Sequence, residues 1–166
     1  MHAGMRFWLP LLAALFPALA GGATAQTPPP PVPATAALPR ITLSAQSLAG
    51  LPRKTLAVVD ENGKNVTYSG VDLGALLAAG GAPHGEALRG RAVADYVLVR
   101  AADGYRAVFA LIELDPRFTD KVVLLADRQD GAAIGKDGPF RLVVPDEKHH
   151  ARWVRNVVDV QVLSPP

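Results

Sequence analysis

Alternation of apolar and polar residues along the chain predicts short β-strands that are joined by glycine-containing turns. An Asn-Gly or Asp-Gly pair tolerates the positive φ angles that a tight hairpin turn requires. Three turns of this kind follow or separate apolar stretches: Glu61-Asn62-Gly63-Lys64 between residues 54–60 and 65–69, Ala102-Asp103-Gly104 between 93–101 and 105–111, and Gln129-Asp130-Gly131 after 122–128. We therefore predict three hairpins.

Helical spacing is found in two short stretches. Within residues 71–81, three leucines stand at positions i, i+3 and i+4, with Asp72 in the first turn and Gly80-Gly81 as the stop, so a short amphipathic helix is predicted there. A second brief helix is predicted within residues 110–116, ending before Pro116.

The charges of Glu113 and Asp115, which flank this second helix, are expected to face solvent. Strands, a helix and further strands without regular βαβ alternation predict an α+β fold with a mixed or mainly antiparallel sheet and short helices.

The C-terminal part of the chain predicts two more strands around a polar loop. Residues 138–145 form the first, residues 146–151 the loop and residues 153–163 the last strand. A period of two places four residues on one face of the last strand: Val154, Val158, Val160 and Val162. If this face enters the core, Trp153 and Arg155 project together from the opposite face.

This part of the chain also carries the clearest candidate chemistry, a basic group around one Trp. Its members are Arg141, Lys148, His149, His150, Arg152 and Arg155, with Trp153 among them. Guanidinium groups hold phosphate through paired hydrogen bonds and an indole stacks on a flat ring, so the group could bind an anion. The alternative is a solvated rim whose cations pair weakly with Asp146, Glu147 and Asp159.

Other chemistry has little support in the sequence. The adjacent His149 and His150 point apart on an extended chain, and no carboxylate pair stands at a metal-ligand spacing, so no metal ligand is assigned. The serines lie in no nucleophile-elbow pattern, and the glycines at 135 and 138 lack the spacing of a phosphate loop. We assign no catalytic residue.

The first 25 residues match a secretory signal peptide. Arg6 precedes the apolar run of residues 7–20, and the small residues Ala23-Thr24-Ala25 precede Gln26. We expect cleavage after Ala25, with Ala20 as a second candidate. The apolar run is too short for a membrane-spanning helix, so no transmembrane segment is expected after cleavage. The leader has no adjacent arginines, which favours export of an unfolded chain to the periplasm or the medium.

Composition sets further limits. Residues 26–39 are rich in Pro and Ala and predict an extended linker, which leaves residues 40–166 as one domain. Cleavage removes one of 17 basic residues and none of 15 acidic ones, so the mature charge is near neutral and nucleic acid is not an expected partner. The chain has no Cys, which excludes disulfides and thiolate ligands.

The order of several motifs resembles the oxidoreductase molybdopterin-binding domain family, to which the catalytic domain of sulfite oxidase belongs. The likeness covers residues 43–163 and depends on four stretches: VTYSGVDLGALLAAGG, ADGYRAVFALIELDP, VVLLADRQDG and GPFRLVVPDEKHHARWVRNVVDVQV. The resemblance implies that the C-terminal segment grips the pterin and its phosphate. By position, the implied cofactor-binding residues are Arg141, Arg152, Trp153, Val154 and Arg155.

Several departures from the family, one of which is a shorter domain, together decide the functional expectation. The family ligates molybdenum through a Cys on a strand that corresponds to residues 56–60, and this chain reads LAVVD there. A chain exported unfolded could also not carry a cofactor that is loaded in the cytoplasm. We therefore expect an exported domain that keeps the fold, lacks molybdenum redox activity and any bound cofactor, and binds a small anionic ligand or a periplasmic protein partner.

Two other functions remain open. The first is a molybdopterin-dependent oxidoreductase of the sulfite oxidase type, with the metal held by the pterin dithiolene alone, arginines on the phosphate, and Tyr105 or a His near the metal. The second is an interaction module displayed on the Pro-rich linker, which requires an exposed apolar patch instead of a basic pocket.

Overall fold

The computed structural model describes residues 38–166. The predicted leader, and the predicted linker up to residue 37, lie outside these residues. Nine strands are present in the described part of the chain: β1 Arg40–Ile41, β2 Arg53–Val59, β3 Asn65–Asp72, β4 Tyr96–Ala101, β5 Arg106–Ala110, β6 Leu124–Gln129, β7 Ala132–Ala133, β8 Arg141–Val143 and β9 Val157–Leu163.

Helices are few and short. Residues 38–166 contain two α-helices and four 3-10 helices: α1 Ala45–Leu48, α2 Leu73–Ala79, and the 3-10 helices Gly85–Ala87, Gly90–Ala94, Leu111–Leu114 and His150–Arg152. None of the helices in this part of the chain has the length and apolarity needed to cross a membrane.

The strands form two sheets. The first has the order β1-β9-β4-β5, and the second has the order β2-β3-β6-β7, with β8 also paired to β6. Every strand pairing is antiparallel. The predicted α+β class with a mainly antiparallel arrangement is therefore confirmed, whereas the closer likeness to the sulfite oxidase fold stays a prediction.

All three predicted hairpins are confirmed, as β2–β3, β4–β5 and β6–β7. The turn residues have the expected backbone, with φ of 75° at Gly63, 89° at Gly104, and 50° and 82° at Asp130 and Gly131. Glycine adopts such angles without strain and Asp tolerates them better than most residues, which explains why Gly and Asp stand at these positions.

The predicted amphipathic helix is confirmed as α2. The Asp72 carboxylate accepts hydrogen bonds from the backbone N–H groups of Gly74 and Ala75, at 3.0 and 3.3 Å, and so caps the helix. Leu73, Leu76 and Leu77 are buried, as their spacing predicts. The second predicted helix is the 3-10 turn Leu111–Leu114.

The prediction for the last strand is wrong at its beginning and at one position of its core face, whereas Val154, Val160 and Val162 are buried as predicted. Strand β9 begins at Val157, four residues later than predicted. Its pairing with β4 shifts register between Arg100 and Ala101, so a bulge interrupts the alternation. As a result Val157 is buried, and Val158, predicted to face the core, is 55% exposed.

One buried cluster joins the two sheets and α2. It includes Val97 and Val160 from the first sheet, Leu125 and Leu142 from the second, and Leu76 from α2. The two sheets and α2 therefore share one core. Concave sites can form where loops and helices cover the edges of this core.

Candidate functional site

Arg141, the centre of the predicted anion site, is buried at 3% exposure on β8. Its two terminal nitrogens donate to carboxylates, Nη1 to Asp137 at 2.9 Å and Nη2 to Glu61 at 3.0 Å. The guanidinium also lies 5.5 Å from the ring centre of Tyr68 and 5.9 Å from that of Trp153. The positive charge of Arg141 is thus already matched inside the protein.

Arg155 is more exposed and binds the same two carboxylates. It pairs with Glu61 through Nη2 and stands 3.7 Å from Asp137 through Nε. Burial of Glu61 acts to raise the pKa of its carboxyl. The hydrogen bond from the residue's own backbone N–H and the charge of Arg141 outweigh burial, and the pKa lies below its usual value.

Trp153 is buried, which contradicts the prediction that Trp153 and Arg155 project together away from the core, whereas Val154 is buried as predicted. The reason is that these residues precede β9, so the period of a strand does not apply to them. The indole Nε1 of Trp153 donates to the carbonyl of Val144 at 2.8 Å, and the ring of His150 stacks on it at 3.9 Å. The indole is a packing element with its polar atom satisfied.

Arg152 belongs to a separate set of contacts. Its guanidinium binds Glu113 at 2.9 Å, Glu147, and the carbonyl of Val108 at 3.2 Å, and it lies 4.3 Å from the ring centre of Phe109. Burial acts to lower the pKa of Arg152, but hydrogen bonds to the two carboxylates raise it overall, so the side chain remains charged.

Arg141 and Arg155 do line a common concavity, which we name the polar cavity. Its volume is about 460 Å³. The lining residues are Asp60, Glu61, Asn62, Tyr68, Gln129, Ile134, Gly135, Lys136, Asp137, Arg141 and Arg155. Three of them are cationic and three are acidic, so an incoming anion would compete with carboxylates that already occupy the guanidinium groups.

These contacts fit a pterin cofactor poorly. Of the five residues that the family resemblance implies, only Arg141 and Arg155 line the polar cavity. Both terminal nitrogens of Arg141 and the Nη2 of Arg155 are bound to Glu61 or Asp137, the buried Nε of Arg141 has no hydrogen-bond partner among the described residues, and the indole that would stack on a pterin is buried under His150. The assignment of the five residues to a cofactor stays a prediction of the resemblance. Within residues 38–166, no group of three His, Asp or Glu side chains could hold a metal ion.

A larger concavity lies on another part of the surface, and we name it the apolar cavity. Its volume is about 660 Å³. Four leucines, each no more than 5% exposed, lie at its base: Leu77, Leu88, Leu111 and Leu114. The other lining residues come from β2, the end of β3, α2, the 3-10 helix Gly85–Ala87 and the loops beside them: Pro52, Lys54, Asp72, Gly74, Ala75, Ala78, Pro83, His84, Gly85, Asp115, Pro116, Arg117, Thr119, Asp120, Lys121 and Val122.

Close packing of α2 against the 3-10 turn Leu111–Leu114 shapes this cavity. The backbone at Gly74 approaches the carbonyl of Leu114 so closely that a Cβ at this position would overlap it. Any larger residue would push α2 and the turn apart. Gly74 therefore fixes the spacing between two walls of the apolar cavity.

Most of the charged groups around the apolar cavity are paired. Lys54 binds Asp72 at 2.9 Å, and Arg117 binds Glu86 at 3.2 Å. Asp115 differs, because it is 8% exposed and its carboxylate accepts only backbone N–H groups, from Gly85 at 2.6 Å and Arg117 at 2.8 Å. The prediction that Asp115 faces solvent is therefore wrong.

Sequence reasoning did not find the apolar cavity. Its leucines and alanines carry no signal beyond the helical spacing of α2, because they could equally fill a core. One local signal was available at Asp115, which precedes Pro116. An Asp at such a position favours a turn in which its carboxylate accepts the N–H two residues later, as it does here.

The sequence was compared with protein-family models and with curated proteins, and no match was found among either.

Proposed function

We propose that this chain is an exported ligand-binding domain, without enzymatic turnover, that holds a small and mainly apolar molecule in the apolar cavity. The observation that carries the proposal is the cavity itself. Its volume of about 660 Å³ falls within the range of small-molecule sites, and its apolar wall is combined with a few polar groups.

The wall chemistry gives the class of ligand. The alanines of α2 and the prolines of the lining offer apolar surface above the buried leucines, and a molecule that covers it gains about 25 cal/mol for each Å² of apolar surface removed from water. The charged residues stand mainly at the margin and are balanced in sign. A hydrocarbon body with one polar group suits this arrangement better than the multiply charged ligand that the basic C-terminal segment predicts.

Binding without turnover is supported by the hydrogen bonds of the described residues. Between residues 38 and 166, no Ser or Thr hydroxyl is hydrogen-bonded to a His, which is the pairing that activates an oxygen nucleophile. The hydroxyls bind each other, backbone groups or, in one case, Asp95. His84, in the cavity lining, has its Nδ1 3.0 Å from the carbonyl of Ala82.

Export and the family likeness enter the proposal from the sequence. The leader pattern of residues 1–25 supports export, and the order of four motifs supports a relation to the molybdopterin-binding domain. The alternative of a molybdenum oxidoreductase would need cationic groups for the cofactor phosphate. Paired arginines around the polar cavity argue against it, and the molybdenum content and pterin fluorescence of the purified protein distinguish the two proposals.

The binding proposal is tested with N-phenyl-1-naphthylamine, an uncharged probe whose fluorescence rises in apolar sites. Ala78 lines the apolar cavity, whereas its neighbour Ala79 is exposed and does not. Ala78→Trp should fill the cavity and weaken probe binding by at least about ten-fold. Ala79→Trp, the matched control, should bind the probe as the unchanged protein does. Equal binding by both variants, or no binding by the unchanged protein, contradicts the proposal.

A further inference from the structure

Asp115 forms part of the wall of the apolar cavity at a point where two loops meet. One carboxylate oxygen accepts the backbone N–H of Gly85 at 2.6 Å, and the other accepts that of Arg117 at 2.8 Å. Gly85, Arg117 and Asp115 all line the cavity. The carboxylate is thus held rigidly between two segments of the wall, and the residue is more than nine-tenths buried.

No cation of the described residues lies within ion-pairing distance of Asp115. The other charges that line the apolar cavity either are paired or are exposed at its margin. Lys54 pairs with Asp72, and Asp120 and Lys121 are exposed neighbours of opposite sign. Of the charged residues in this lining, Asp115 alone is buried.

A buried carboxylate without a cation is costly, because backbone hydrogen bonds compensate only part of the lost hydration. An ionised carboxylate offers about four lone-pair directions, and the two N–H groups use two of them. The group can therefore accept further hydrogen bonds, most favourably from a positively charged donor. A ligand that brings such a donor would supply the charge that the protein does not.

We propose, on the basis of the binding function proposed above, that the apolar cavity selects an apolar amine. The protonated amino group of the ligand donates to Asp115, and its hydrocarbon part lies against the apolar wall that the alanines of α2 and the lining prolines provide. Asp115 then determines specificity, while the apolar wall supplies binding that is independent of charge.

The inference is tested by displacing bound N-phenyl-1-naphthylamine with three ligands that share one chain length: octylamine, octanol and octanoate. At neutral pH these carry a positive charge, no charge and a negative charge. Octylamine should displace the probe at a concentration at least about ten-fold lower than octanol, because an ionic hydrogen bond adds to equal apolar contact. Octanoate should be the weakest, since its carboxylate meets that of Asp115.

Two variants identify the group that is responsible for the preference for the amine. Asp115→Asn removes the charge and should bring octylamine and octanol to within about two-fold of each other, with the uncharged probe still bound. Asp120→Asn is the control, because Asp120 is acidic and lines the same cavity but is exposed, and it should keep the preference for the amine.

The outcomes separate this inference from the function on which it depends. Failure of the uncharged probe to bind the unchanged protein overturns the binding function. Binding of the probe with equal or reversed ranking of the three ligands overturns only the selection of amines. If Asp115→Asn does not fold, the ranking by the unchanged protein and by Asp120→Asn decides, and loss of the preference in Asp120→Asn rejects Asp115 as the recognition group.

Discussion

The polar cavity and the apolar cavity differ in how their charges are matched. Around the polar cavity, two arginines and two carboxylates satisfy one another, and Arg141 is buried among them. In the apolar cavity, the buried Asp115 has no cationic partner among residues 38–166. Each cavity is lined by three cationic and three acidic residues, so the two regions differ in which buried charge lacks a partner and not in the number of charges.

This difference shows why a cluster of charged residues in a sequence is weak evidence for a binding site. Charges of opposite sign that come together on folding neutralise each other, and a ligand must then displace an existing partner. A single buried charge in apolar surroundings lowers the stability of the folded chain. A ligand of opposite charge that pairs with it can gain binding free energy. The comparison can be tested by changing one residue in each region.

The largest effect is expected from Arg141→Ala in the polar cavity. Loss of the buried guanidinium leaves Glu61 and Asp137 with only the more exposed Arg155 as a cation and opens space beside Tyr68 and Trp153, so the free energy of unfolding should fall by about 3 kcal/mol. Urea denaturation measures this loss. Arg155→Ala, which removes the exposed member of the same network, should cost less than about 1 kcal/mol. Equal costs would show that Arg141 is not the structural centre of the network.

A smaller effect is expected when one glycine in the wall of each cavity is replaced by Ala. Gly74→Ala places a methyl group against the carbonyl of Leu114 and should lower the free energy of unfolding by about 2 kcal/mol and weaken probe binding to the apolar cavity. Gly135→Ala, in the polar cavity, meets no atom within 4 Å and should change stability by less than about 0.5 kcal/mol. A tolerated Gly74→Ala would mean that α2 and the 3-10 turn can separate freely.

The smallest effect is expected from Glu61→Gln, which should change how the free energy of unfolding depends on pH. The pKa of Glu61 is below its ordinary value of 4.5 in the folded chain, so its charge stabilises the fold above that pH and this contribution is lost as the pH falls through the lowered pKa. The difference in stability between the unchanged protein and the variant should therefore be widest at neutral pH and shrink below about pH 4.5.

Urea denaturation at a series of pH values measures this change. Some acid dependence should remain in the variant, because the pKa of Asp60 is also lowered, first by the backbone N–H of Lys64 and also by that of Asn62. A difference that stays constant down to about pH 3 would show that the arginines do not stabilise the charged form of Glu61.

The parts of the fold that could be predicted depend on local signals. The hairpins follow from glycines at positions that need a positive φ, and α2 follows from the spacing of its leucines and from Asp72 as its cap. Each of these signals lies within about ten residues of the element that it specifies, so the rest of the chain need not be known.

The bulge in β9 could not be predicted in the same way. Whether Val157 or Val158 faces the core depends on a register shift in the pairing with β4, more than 50 residues earlier in the chain. Both valines have the same β propensity, and only the partner strand decides which one is buried.

For the candidate site, the sequence identified residues that line the polar cavity but not the ion pairs that these residues form. It placed Arg141 and Arg155 together, which is correct, but their carboxylate partners include Glu61 from a distant hairpin turn. The apolar cavity was missed because its lining extends from Pro52 to Val122. These apolar residues are scattered along the chain. Only the packing of α2 against the 3-10 turn Leu111–Leu114 brings them together as a concave surface.

The contact between Arg152 and Val108 has a consequence for the behaviour of the protein at high concentration. Strand β5 is at the end of the first sheet, and such an edge can pair with the edge of another molecule. Arg152 donates to the carbonyl of Val108 in this strand, at 3.2 Å. A second chain that added a strand there would have to displace the guanidinium from this carbonyl, while Glu113 and Glu147 continue to hold the side chain in place. Arg152 thus occupies an acceptor that a pairing strand would need, and it should reduce self-association through this edge.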